Sequence, residues 1–140
     1  MISNGTRSLW AIITVTVVIG FVASLPGCAS VGPITPVAVS DVKSVAGTWK
    51  GVVYESGSEP DYITLTIQED GSYEVVSRQT IGASRGKGQI VIKEGRLFLQ
   101  GQKGRGVGTL LSNAGGDRVM RIEATLSDNS ILTAELGPSR

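Results

Sequence analysis

Cys28 carries the one thiol in 140 residues, and it stands just behind an apolar run, Leu9 to Leu25, in the tetrapeptide Leu25-Pro26-Gly27-Cys28. No histidine occurs anywhere in the chain. Nucleophile–base pairs built on histidine or on a second cysteine are therefore excluded. No carboxylates fall at metal-ligand spacing, so neither a metal nor a cofactor is expected. Asp61, Glu69, Asp70 and Glu74 lie at turns or on polar strand faces, where a carboxylate is ordinarily solvated. A Ser–Lys dyad or a carboxylate pair stays open as chemistry, but no local motif suggests one of the kind that acid–base catalysis requires. The chain reads as a non-enzyme. Without a partner thiol, Cys28 cannot close an internal disulfide either. What is left to it is modification of the thiol itself, beside a segment suited to a bilayer.

That segment has three parts: a polar start with one cation (Arg7), the apolar run of 17 residues, and small residues before the cysteine. This is the layout of an export signal. With Leu25 three places before Cys28 and Gly27 directly before it, the chain resembles a bacterial lipoprotein precursor; Pro26 departs from the usual lipobox. The resemblance implies cleavage before Cys28 and a diacylglyceryl group on its sulfur, often with a further amide-linked acyl chain. One chain holds a protein to a membrane only marginally, whereas two or more anchor it stably. Residues 1–27 are then a lipoprotein signal peptide, and residues 28–45, with Gly32, Pro33 and Pro36, an extended tether. Two other readings are an uncleaved membrane-spanning helix and an ordinary secretory signal. All three export the rest of the chain, and the lipoprotein reading anchors it to a membrane of the cell envelope. Ala29 after the cysteine points, by the same resemblance, to the periplasmic face of the outer membrane in a Gram-negative cell.

Residues 46–140 must supply the fold, and 95 residues suffice for one small domain. Their pattern predicts strands over 47–55, 62–68, 72–79, 87–93, 96–100, 107–112, 118–126 and 130–136. Between them lie turns such as Glu69-Asp70-Gly71 and Ser127-Asp128-Asn129, whose residue types tolerate positive φ. No helix is expected after the signal. Alternation predicts an apolar face: Ile63, Leu65, Ile67; Leu97, Leu99; Met120, Ile122, Ala124, Leu126; Leu132, Ala134, Leu136. The expected fold is all-β, an eight-stranded antiparallel up-and-down barrel, with a two-sheet sandwich as the alternative. The bulk of the predicted inward residues favours a barrel filled with side chains. Gly86, Gly88, Gly106 and Gly108, if inward, argue for a cavity.

The first strand contains Gly47-Thr48-Trp49, and this G-x-W resembles the signature that opens lipocalin-like barrels. The resemblance implies that Trp49 closes one end of the barrel, that Gly47 lets the incoming chain pass close by, and that an arginine partners the tryptophan. Arg118 and Arg121 are both available. It also implies a carrier of a small apolar or amphipathic ligand.

The net charge of +1 hides a segregation. Residues 41–74 hold two cations against seven anions, and residues 78–105 seven cations against one anion. In a meander the barrel then has an acidic and a basic side. Arg85, Lys87, Lys103 and Arg105 form a candidate basic surface for an envelope protein, an anionic lipid or a glycan. Nucleic acid is not an expected partner of an exported chain. The function expected first is therefore a lipid-anchored, non-catalytic barrel that docks another envelope component, and second a lipocalin-like carrier.

Overall fold

The computed structural model describes residues 32–78 and 83–139. The signal segment 1–27, Cys28, the first tether residues and Gln79 lie outside the described residues.

Eight antiparallel strands close on themselves. They are β2 (Gly47–Glu55), β3 (Asp61–Ile67), β4 (Ser72–Arg78), β5 (Ala83–Lys93), β6 (Arg96–Gly101), β7 (Gly104–Ser112), β8 (Arg118–Leu126) and β9 (Ile131–Pro138). Each pairs with the next in sequence, and β9 returns to β2 with Trp49 opposite Pro138 and Glu55 opposite Leu132. That last pairing makes the fold a closed barrel and excludes the sandwich. Closure removes the unpaired edges an open sheet would present. Two tight turns are fixed by side chains: Asp70 accepts from the Ser72 hydroxyl (2.6 Å) and amide (2.8 Å), and Asp128 accepts from the Ser130 amide (2.9 Å). The Ser72 hydroxyl and then its amide hold the Asp70 carboxyl below its ordinary range.

A ninth strand, β1 (Thr35–Val37), falls in the stretch read as tether. β6 pairs with β7 only as far as Gly108, whereas β7 runs on to Ser112. β1 takes the edge left over, with Thr35 opposite Ser112 and Val37 opposite Leu110. The Val39 amide then donates to the Gly95 carbonyl at 2.9 Å, so the lead-in continues the line of β6. One turn of 3-10 helix follows over Val42–Val45, capped by Asp41, whose carboxylate accepts from the Ser44 amide at 2.9 Å. A single turn this short shows no helical stripe in the sequence, which is why none is legible there.

Six of the eight barrel strands lie within two residues of their expected bounds at both ends. β5 and β7 are longer, extending back through Arg85-Gly86 and Arg105-Gly106. Glycine weakens a strand signal locally, but the pairing of Val75 with Gly86 and Gly106 with Ala124 carries both strands on.

The core is graded along the barrel axis. At the end where the chain enters, Trp49, Ile67, Leu97, Met120, Leu136 and Val45 are all buried. Fully burying a side chain of this size stabilises by about 1.5–3 kcal/mol. Toward the other end the inward positions shrink. On β5, Ile92 and Ile90 give way to Gly88, Gly86 and Ser84; on β7, Leu110 gives way to Gly108, Gly106 and Gly104; on β6, Leu99 gives way to Gly101.

Candidate functional site

At the closed end, Trp49 is 2% exposed and its indole N–H donates to the Val45 carbonyl at 2.9 Å. The 3-10 turn thus seals the barrel over the ring. The Arg118 guanidinium lies 5.7 Å from the Trp49 ring centre and donates to the Ser44 carbonyl at 3.3 Å. Of the two arginines the sequence offers, Arg118 makes this contact; Arg121 instead pairs with Glu135 at 2.8 Å across β8 and β9. Gly47 serves differently from the expectation. A side chain there would meet nothing within 4 Å, so crowding by the incoming chain is not the reason for a glycine. Its φ of 126° is, since L-residues rarely adopt it.

At the other end the barrel opens into a cavity of about 460 Å³. Its base is apolar, built by Val53, Ile63, Leu65, Val75, Leu99 and Ile122. The expectation of a barrel filled throughout is corrected here. The inward residues are bulky, but the largest gather at the closed end and leave the open half underfilled. Tyr73 occupies the boundary between the halves. A methyl group at Gly88 or Gly101 would come within 2.7 Å or 2.5 Å of its hydroxyl, so these paired glycines are what admits the phenol. Burial pushes the Tyr73 phenol above its ordinary pKa of 10.0.

The lip changes character strand by strand. On β2, β3 and their loop stand Glu55, Glu59 and Asp61. On β4 and β5 stand Ser77 and Ser84, opposite each other in register. On β5, the β6–β7 turn and β7 stand Lys87, Lys103 and Arg105; on β8 and β9, Leu126 and Leu132. The Ser77 hydroxyl donates to the Asp61 carboxylate, and the Lys103 ammonium donates to the Ser84 hydroxyl at 2.9 Å. Of the candidate basic residues, Lys103 stands at the mouth beside Ser84, while Lys87 and Arg105 border it from outward positions of β5 and β7, Lys87 opposite Glu74. Arg85 does neither: it lies on the outer wall, 3.9 Å from Glu74. The sequence puts these carboxylates on an acidic side of the barrel but not at its mouth, and singles out neither hydroxyl, although Asp61 continues the inward alternation of Ile63 and Leu65.

A second, shallower concavity of about 720 Å³ crosses the wall formed by β3 to β6, with Thr66, Glu74, Gln89 and Gln100 among its lining. Among the described residues, no three histidine, cysteine or carboxylate side chains converge in a way that could hold a metal ion.

No protein-family model and no curated protein matches the chain. Among solved structures it is similar to a redesigned β-barrel, with 17% identity over 74% of this chain and all of that one, at a TM-score of 0.48.

Proposed function

We propose that this protein is an exported barrel, held to the envelope membrane through a lipidated Cys28, that takes a small amphipathic ligand into its open end. The observation that carries the reading is the 460 Å³ cavity with an apolar base and a polar lip. That volume falls within the range of small-molecule sites, which join apolar walls to a few placed polar groups. Its floor has no buried polar or charged side chain among the described residues, so the inserted part of the ligand is hydrocarbon. The Trp49 plug with Arg118 over its ring supports the lipocalin-like resemblance.

Native mass spectrometry of the full chain extracted from its host membrane tests the reading. A bound small molecule is expected, and it should be lost in Ala124→Phe, where a ring enters the cavity. A barrel that carries nothing, and whose melting temperature no amphiphile raises, overturns it. If an envelope protein instead co-purifies and is lost when Arg85, Lys87, Lys103 and Arg105 are changed to Glu, the barrel is a docking module. Incorporation of labelled fatty acid that survives Cys28→Ala would remove the anchor.

A further inference from the structure

The charges of the mouth are arranged in two opposed groups, and none of them is neutralised by a direct ion pair. Among the described residues, the ion pairs are Arg121 with Glu135 and Arg85 with Glu74, both away from the lip. Asp61 and Lys103 are instead held by neutral partners, Ser77 and Ser84. These two serines face each other across β4 and β5, so a fixed carboxylate and a fixed ammonium flank one hydroxyl pair at the edge of an apolar cavity. Glu55 and Glu59 extend the negative arc, and Lys87 and Arg105, on outward positions of β5 and β7, border the positive one. The charged residues named here balance, three anions against three cations.

We infer that the ligand is a zwitterionic amphiphile: an apolar chain that enters the cavity, with a head bearing one anionic and one cationic group across the two arcs of the lip. The inference rests on the mouth being the ligand site. An amphiphile with a single negative charge gains from Lys87, Lys103 and Arg105 but brings that charge toward Glu55, Glu59 and Asp61. One with a single positive charge meets the reverse. A head of both signs satisfies both arcs; Glu55 and Asp61 are half-buried, whereas Glu59, Lys87, Lys103 and Arg105 are exposed, so each contact is partly screened. Leu126 and Leu132 complete the ring on the far side and offer an apolar path for the chain.

Three probes sharing a dodecyl chain separate these cases: a sulfobetaine, dodecanoate and dodecyltrimethylammonium, each below its micelle concentration. The full chain is held in a non-ionic amphipathic polymer, and binding is read from the methyl resonances of Ile122, Leu126 and Leu132. These signals report occupancy of the cavity, and ratios between variant and parent cancel partitioning into the polymer. The sulfobetaine is expected to bind roughly threefold to tenfold more tightly than either singly charged probe, the size of a partly screened charge contact. Lys103→Met should abolish its advantage over the cation, and Asp61→Asn its advantage over the anion. The Trp49 indole resonance at the closed end checks that each variant is folded; if one is not, Lys87→Met or Glu59→Gln reads the same ratios. Equal affinity for the three probes, or ratios that no substitution moves, overturns the inference and leaves the cavity reading standing. Absence of any shift removes both.

Discussion

At the scale of single residues, two aromatic side chains divide the barrel. Trp49 fills the closed end and uses its one polar atom on the Val45 carbonyl. Trp49→Ala should cost about 3–5 kcal/mol, the range for truncating a buried aromatic, read as a lower denaturant midpoint. Arg118→Ala should cost only about 0.5–1 kcal/mol, because its guanidinium is exposed and the ring stays buried. A loss as large as that of Trp49→Ala would mean that Arg118, rather than packing, holds the plug. Tyr73 marks the other boundary. Its half-buried phenol resists ionisation, while in the unfolded chain the same group ionises near 10.0. Its contribution to stability is thus intact below 10.0 and declines as pH rises through the folded pKa. Carbon-13 tyrosine resonances should show Tyr73 still protonated above that pH, and ionisation at 10.0 or lower would contradict the burial described.

At the scale of elements, the lead-in segment is divided in what it contributes. All three residues of β1 are exposed, whereas Val39 and Val45 are 4% and 0% exposed. A chain starting at Ala38 should therefore keep nearly all of its stability. It would leave the β7 edge at 110–112 uncovered, and self-association at high concentration is expected from that edge. A chain starting at Gly47 loses both buried valines and the seal over Trp49, and should be less stable by about 3–6 kcal/mol. Urea unfolding of the two truncations, together with their sedimentation, separates the contributions. Equal stability would show that the segment does not help to close the barrel. Three residues of edge strand and one 3-10 turn lie below the length at which periodicity can be read. The barrel strands were legible because strict alternation repeats in most of them; β5 and β7 were cut short where glycine interrupts it.

At the scale of the whole molecule, side-chain size changes along the barrel axis in the same direction on β5, β6 and β7. Each of these strands carries its bulk at the closed end and its glycines or serine at the mouth, so closure turns three separate gradients into one cavity. Charge follows a similar logic. Segregation along the chain becomes two arcs around a lip, since neighbouring strands in a meander stay neighbours in space. The sequence alone determined the all-β class, the number and order of the barrel strands, the inward faces and the two charged halves. These follow from local alternation and turn chemistry. Tertiary structure decided that β9 meets β2, that Arg118 and not Arg121 covers Trp49, and that large and small inward residues sort to opposite ends. It also placed Asp61 and Lys103 on either side of a serine pair. Each of these depends on register between strands far apart in the chain, and register is fixed only when the barrel closes.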